Sequence, residues 1–167
     1  MEIVFYISGA VAIAATLMML TRLNAVHALL YLIVSLLAVA IVFYTLGAPF
    51  AAALEVIIYA GAIMVLFVFV VMLLNLGRAA IRTEKALLSR ASWIGPSILV
   101  VILAAEFVYM LDRNPAKAPP VIIGPAEVGL SLFGPYVVGV ELASMLLLGG
   151  LVGAYHLGWR PRGRRQN

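Results

Sequence analysis

The chain has 167 residues, of which 65% are hydrophobic and only 11% are charged, with a net charge of +4. A soluble domain of this length has too little interior to hide so much apolar side chain, so the composition excludes a soluble globular protein. The chain has no cysteine, which excludes disulfides, thiolate-held iron–sulfur clusters and a catalytic thiol.

Five apolar runs of about 20 residues predict an all-α integral membrane protein with five transmembrane helices, because each run matches the thickness of a bilayer. Strand patterns typical of outer-membrane barrels are absent from the sequence. The predicted spans cover residues 2–20, 26–46, 51–74, 91–111 and 135–157, and they form a single transmembrane domain over residues 1–158. Residues 112–134 are assigned to an outer loop, and residues 159–167 to a basic cytoplasmic tail.

The breaks between the predicted spans contain residues that interrupt helices. Gly47-Ala-Pro49 is so short that the second and third spans should form a tight antiparallel hairpin. Pro96 and Pro135 are assigned to the first turns of the fourth and fifth spans, where proline is tolerated.

The basic residues predict the orientation of the chain. Nine of the eleven fall on one side of the membrane: Arg22, Arg78, Arg82, Lys85, Arg90, Arg160, Arg162, Arg164 and Arg165. The positive-inside rule therefore puts the N-terminus outside (periplasmic) and the C-terminus in the cytoplasm. The first span has neither the basic residue before it nor the cleavage site after it that a secretory signal needs. We interpret the positive charge as a topology signal, and we expect the lipid bilayer rather than nucleic acid as the partner of this chain.

The sequence contains no pattern typical of a catalytic centre. His27 and His156 stand singly near predicted cytoplasmic span ends, and neither has the spacing of a metal or haem site. A Gly-rich phosphate loop and a Ser–His–Asp pattern are also missing. We therefore expect no catalytic residue, no metal and no cofactor bound by this chain.

Three carboxylates, Glu55, Glu106 and Glu141, lie within the predicted spans. No Lys or Arg lies inside a span to pair with them, so each must be protonated, reach the headgroups or find a partner on another polypeptide. Glu55 and Glu141 lie near helix N-termini, where the macrodipole favours negative charge, and they rank above Glu106 as functional candidates. The structural interpretation of all three is an acid that reaches outward at the membrane interface.

The third span combines apolar residues with features that a membrane anchor does not need. Tyr59 follows Glu55 by one helical turn, so both side chains share a face and could extend a hydrogen-bonded path inward. A tyrosine packed between helices with its hydroxyl satisfied is an equally good interpretation. Gly61 weakens the helix and allows close approach of other groups, and Val65 is β-branched. Functional helices of this kind often contain a single-turn π-bulge.

Span five contains Gly149 and Gly153, whose four-residue spacing is typical of close helix–helix packing in membranes. We therefore expect a tight helix interface at these glycines.

Residues 53–76, which read ALEVIIYAGAIMVLFVFVVMLLNL, closely resemble the third helix of the subunit J family of bacterial respiratory NADH:quinone oxidoreductase (complex I). The mitochondrial counterpart is NADH dehydrogenase subunit six. Residues 24–31 resemble that family's entry to helix two, and residues 93–96 and 132–148 resemble the starts of helices four and five. The resemblance covers roughly 155 residues in order, and it excludes the outer loop, the Arg-rich tail and Glu106.

The resemblance implies a multi-pass subunit of the bacterial inner membrane, in the membrane arm, with complex I subunits of the A, K, H and N types as partners. In that family the third helix is thought to switch between a straight and a π-bulged form as a water path opens or closes. Carried over, the bulge falls between Tyr59 and Phe67, with Gly61 and Val65 as its pliable positions. Tyr59 lies on or beside the path toward carboxylates of subunit K. NADH, FMN, iron–sulfur and quinone chemistry is then expected on other subunits.

The distribution of ionisable residues supports a gate or coupling element. A complete pump of the antiporter type needs ionisable residues through the bilayer centre, and the middle of each span here has none. Two alternatives to a gating subunit of complex I remain open from the sequence. In the first, the chain is a homologous subunit of a multisubunit cation/proton antiporter or membrane-bound hydrogenase. In the second, it is a passive packing scaffold.

Overall fold

The computed structural model describes residues 2–22, 25–73, 90–112 and 122–158, and over these ranges the chain is helical with no strand. Five of the helices are long and apolar enough to cross a membrane. Each coincides with one predicted span, so the predicted class of a five-helix integral membrane protein is confirmed. The chain divides into two compact units, residues 1–124 and residues 125–167.

The first two helices, α1 (Glu2–Thr21) and α2 (Ala25–Thr45), make the most extensive helix–helix contact in the described chain. Ala15 and Ala38 are fully buried in their contact, where small side chains let the backbones approach. Two hydroxyls cross the same seam, because the Oγ of Ser35 lies 2.8 Å from the Oγ1 of Thr16 and 3.1 Å from the carbonyl oxygen of Ala12.

A tight turn ends α2 and reverses the chain, as the sequence predicted. Gly47 has φ of +83°, a left-handed conformation that glycine adopts without steric cost. The N–H groups of Gly47 and Ala48 donate to the carbonyl oxygens of Tyr44 and Phe43, which is the Schellman pattern of helix ends. Pro49 then begins the next helix, where its missing N–H costs nothing. The N–H of Ile123 donates to the carbonyl of Gly47 (2.8 Å), which ties the end of the first unit to this turn.

The third membrane helix consists of three consecutive segments: α3 (Pro49–Leu54), a π-helical segment (Glu55–Ile63) and α4 (Met64–Leu73). All three segments pack against α2. Among the described residues, α2 is therefore the main packing partner of the third helix along its length.

The fourth membrane helix, α5 (Arg90–Asp112), closes the first unit by packing against α1 and α2. Leu103 joins Val11, Ala15, Val34 and Ala38 in one buried apolar cluster. Pro96 is buried inside α5 and not in its first turn, so that part of the prediction is wrong. Membrane helices tolerate interior proline because neighbouring helices and local adjustments satisfy the freed backbone groups.

The second unit contains α6 (Pro125–Leu132) and α7 (Val137–Gly158). A turn joins them, with the N–H of Tyr136 donating to the carbonyl of Ser131. Helix α6 was not predicted, because it is short and lies within the stretch assigned to the outer loop. Pro135 lies in the turn before α7 rather than in its first turn, which corrects the prediction.

The orientation of the chain across the membrane stays a prediction. Of the basic residues behind it, only Arg22 and Arg90 lie within the described ranges. The tail and the Arg78–Lys85 segment lie outside the described residues.

Candidate functional site

The π-helical segment is the main irregularity of the membrane helices, and it contains three of the predicted site residues. Glu55 begins it, and Tyr59 and Gly61 lie within it. Val65 and Phe67 follow in α4, after the π segment has ended at Ile63. The segment overlaps the predicted interval at residues 59–63 and starts earlier, at Glu55.

Hydrogen bonds at the two ends of the segment show the change in helical pattern. At the start, the N–H of Glu55 donates to the carbonyl oxygens of Ala51 and Ala52, as in an ordinary helix. At the end, the N–H of Met64 is shared between the carbonyl oxygens of Gly61 and Tyr59. A bond from Met64 to Tyr59 spans five residues and is therefore the π-type bond.

Gly61 lies where this pattern leaves little room for a side chain. A Cβ atom added there would lie 3.1 Å from the carbonyl oxygen of Val56, which is closer than an ordinary van der Waals contact of 3.4–4 Å. Val56 precedes Gly61 by five residues, so its carbonyl is the one that a π-type bond brings beneath residue 61. Glycine accommodates this approach without displacing the backbone.

The segment is anchored at both ends, but it is held only loosely in between. Ala52 and Met64 are buried, and Met64 has no exposed surface. No residue of the π segment itself is buried, and half of the Tyr59 surface is exposed. Val65 and Phe67 are 67% and 51% exposed. Because a bilayer offers no water to such a surface, lipid or other proteins must cover it.

The polar side chains of the segment, Glu55 and Tyr59, have no hydrogen bond or ion pair within the described part of the chain. Glu55 is half-buried and Tyr59 is exposed, and the two side chains do not bond to each other. A path from Glu55 to Tyr59 thus needs water or another subunit to connect its members, and it stays a prediction.

The remaining predicted residues lie on α7, in the second unit. Glu141 is exposed, and no residue of α7 is buried. A Cβ atom added at Gly149 or Gly153 would meet nothing within 4 Å. A side chain at either position would thus have free space, and the predicted role of these glycines in helix packing stays a prediction.

Glu106 occupies a different place from the one that the sequence predicted. It is only 7% exposed and lies between α5 and α1, where its Oε2 accepts a hydrogen bond of 2.7 Å from the hydroxyl of Ser8. The interpretation of Glu106 as an acid that reaches outward at the interface is wrong. Sequence reasoning missed Ser8 altogether, because the two residues are 98 positions apart and hydropathy shows only that both lie within spans.

These features define a class of protein: a polytopic α-helical membrane protein whose third helix contains a π-helical turn on a largely uncovered apolar face. The described residues include no group of three or more His, Asp or Glu side chains placed to hold a metal ion. The candidate site thus consists of a carboxyl group, a phenol and a π-helical turn that contains a glycine.

Comparison with known proteins gives the family. The sequence model of the NADH-ubiquinone/plastoquinone oxidoreductase chain 6 family matches residues 15–157. The chain is 56% identical to NADH-quinone oxidoreductase subunit J of Pseudomonas aeruginosa over 95% of its own length and 96% of that protein's length. It is 57% identical to subunit J of Escherichia coli K12, covering 97% and 89% of the two chains, and 49% identical to a Buchnera aphidicola subunit J. The chain therefore belongs to the NADH-ubiquinone/plastoquinone oxidoreductase chain 6 family. With its five membrane-length helices it is a multi-pass protein of the bacterial inner membrane.

Proposed function

We propose that the chain is a membrane-arm subunit of a proton-translocating NADH:quinone oxidoreductase, in which its third helix couples quinone reduction to proton movement. Its close relatives are named as subunits of NADH-quinone oxidoreductase, which favours complex I over an antiporter or hydrogenase. The observation that carries the proposal is the π segment Glu55–Ile63, with Gly61 at its tightest point. Flavin, iron–sulfur and quinone chemistry belongs to other subunits of the complex, and the neighbours of this chain are of the A, K, H and N types.

The proposed switch converts the π segment into an ordinary α-helix. Such a conversion removes one extra residue from a helical turn, so the part beyond the segment rotates by about 100° relative to the part before it. Val65 and Phe67 lie beyond the segment and would change the face that they present. Met64 would leave its buried position, and this cost opposes the switch.

The proposed switch requires that the two forms differ by only a few kcal/mol, as any population shift does. Both forms keep nearly all backbone hydrogen bonds, and the side chains of the π segment are not buried in this chain. The covering subunits therefore decide which form is favoured. A redox-dependent change in those neighbours would then move the helix from one form to the other.

In this proposal Glu55 and Tyr59 serve the water path that the switch opens or closes. Both have polar atoms that no group in the described chain satisfies, so water or a neighbouring carboxylate can bond to them. Glu141 is a secondary candidate on α7. The competing proposal is a passive scaffold, in which the same glycine serves only to let another helix approach.

Gly61→Ala in the intact complex tests the switch. The added Cβ crowds the Val56 carbonyl in the π form, and we expect it to shift the equilibrium toward the α form by about 1 kcal/mol, or roughly fivefold. Quinone-linked proton pumping in membrane vesicles should fall, while NADH oxidation by an artificial acceptor should be unchanged. Gly9→Ala is the matched control, since a Cβ there meets nothing within 4 Å.

Gly61→Leu extends the same test with a larger side chain and should abolish the coupled activity. Normal pumping by an assembled Gly61→Leu complex would refute the switch. Loss of assembly in the leucine variant alone would favour the scaffold, and the alanine variant then decides between the two proposals.

A further inference from the structure

A cavity of about 600 Å³ lies between α2, α5 and the beginning of the third helix. The third helix and α5 both pack against α2, but among the described residues they make no extensive contact with each other. The two helices therefore leave a space between them, which we call the wedge. Ala40, Ala52 and Leu103 line the wedge and are buried, whereas Tyr44 and Phe107 line it and are exposed. The wedge is thus closed toward α2 and open on its other side.

The chemistry of the wedge suits a hydrocarbon ligand. None of the described residues that line it is charged, and the hydroxyl of Tyr44 is the one polar side-chain group among them. Apolar cavities stay dry and bind apolar molecules, because water finds no hydrogen-bond partners in them. Within the hydrocarbon region of a bilayer there is also no water to fill such a space. The occupant is therefore apolar along most of its length.

The dimensions of the wedge separate a lipid chain from a protein helix. The lining residues extend from Val100 to Leu111 on α5 and from Leu37 to Tyr44 on α2, roughly 16 and 10 Å by helical rise. The wedge thus takes up about half of a hydrocarbon core of about 30 Å, on the side of the Gly47 turn. A membrane-spanning helix crosses both halves and, with a diameter of about 10 Å, fills roughly 800 Å³ over a length of only about 10 Å. An acyl chain is narrower and ends within one leaflet.

Polar groups lie at the end of the wedge where a lipid headgroup would be. Tyr44 lies one residue before the end of α2, and Asp112 follows the lining residue Leu111, is exposed and ends α5. A phenol hydroxyl can donate a hydrogen bond to a phosphate oxygen, and a carboxylate can pair with an ammonium group. Phosphatidylethanolamine has both a phosphate and an ammonium group, so its headgroup complements this end of the wedge.

We propose that the wedge binds one acyl chain of a phosphatidylethanolamine molecule from the leaflet on the side of the Gly47 turn. The headgroup lies beside Tyr44 and Asp112, and the chain runs between α2, α5 and the third helix. There it contacts Val56, the residue of the π segment that lines the wedge. The lipid fills the space between the third helix and α5. This inference does not rest on the proposed switch.

Photolabelling of the intact complex tests the proposal. The complex is reconstituted into vesicles of phosphatidylethanolamine and phosphatidylglycerol with a trace of phosphatidylethanolamine that has a diazirine on one acyl chain, and mass spectrometry identifies the labelled residues. A diazirine in the distal half of the chain should label Ala40 and Leu103, which lipid outside the wedge does not reach because they are buried. A diazirine near the headgroup should label Tyr44 and Leu111. Absence of label from Ala40 and Leu103 would overturn the proposal, and it is the result expected if a helix of another subunit fills the wedge.

Two neighbouring alanines provide matched variants. Ala104 lines the wedge and Ala105 does not, so Ala104→Phe should lose the label on Leu103 while Ala105→Phe keeps it. Equal labelling of the two variants would contradict the proposal. If Ala104→Phe does not assemble, the positions labelled in the wild type decide. A long-chain quinone added in excess should leave the wild-type label unchanged, and loss of the label would assign the wedge to a quinone tail instead. None of these readouts is proton pumping, so a failed switch and a failed lipid site are distinguishable.

Discussion

Replacing Gly95 by alanine should loosen the contact between α5 and α2. A Cβ atom at this position would overlap the hydroxyl oxygen of Tyr31, and it would lie 3.2 Å from Cζ of that ring. Tyr31 cannot yield easily, because it is 1% exposed. The guanidinium of Arg22 also lies over the ring at 5.2 Å from its centroid, and its Nη2 donates a long hydrogen bond of 3.5 Å to the Tyr31 hydroxyl.

The size of the effect follows from comparison with a glycine that has free space. Overpacking of a buried contact costs about 1–3 kcal/mol. Replacing glycine by alanine in a helix also stabilises the folded state by up to about 1 kcal/mol, but this gain is common to any helical glycine. In Gly9→Ala the new Cβ meets nothing within 4 Å. The difference between the Gly95 and Gly9 variants therefore isolates the steric term, and Gly95→Ala should be the less stable by about 1–3 kcal/mol.

Heating membranes and then measuring the fraction of assembled complex on native gels provides the assay. Gly95→Ala should lose the complex at a lower temperature than Gly9→Ala. Adding Tyr31→Phe to Gly95→Ala removes the overlapping oxygen and should restore part of the loss. The recovery is incomplete because the new Cβ still lies close to the ring. Equal heat resistance of the two alanine variants, or no recovery in the double variant, would refute the reasoning.

Three further variants test other parts of the structure. Met64→Ala removes a fully buried side chain at the end of the π segment and should destabilise the complex by about 2–5 kcal/mol in the same heating assay. Glu55→Gln should lower quinone-linked proton pumping and spare NADH oxidation by an artificial acceptor; unchanged pumping across pH would make Glu55 a structural residue. Gly149→Leu combined with Gly153→Leu should reduce the yield of assembled complex more than Gly139→Leu does, and an equal yield would argue against a helix interface there.

The helices were predictable because the bilayer imposes their length and apolar character. The turn at Gly47 was predictable too, since glycine followed by proline ends one helix and begins the next. Helix α6 was not, because eight residues of mixed polarity carry no span signal. Pro96 shows a related limit, since neighbouring helices decide whether an interior proline is tolerated.

The candidate site was predictable in composition but not in geometry. Glu55, Tyr59 and Gly61 stand out in the sequence because each is costly or unusual in an apolar helix. The sequence does not specify which carbonyl an N–H bonds to, so the start of the π segment at Glu55 required the structure. The Ser8–Glu106 pair required it as well, because span assignment gives the depth of a residue but not its rotation toward a distant helix.

The central claim is that the third helix has two forms, and its most direct test is the structure of the assembled complex at rest and during NADH oxidation with quinone. The decisive feature is the acceptor of the Met64 N–H. We predict the carbonyl of Tyr59 in one state, as seen here, and the carbonyl of Ala60 in the other, with α4 rotated by about 100°. The same π-type bond in both states would contradict the account.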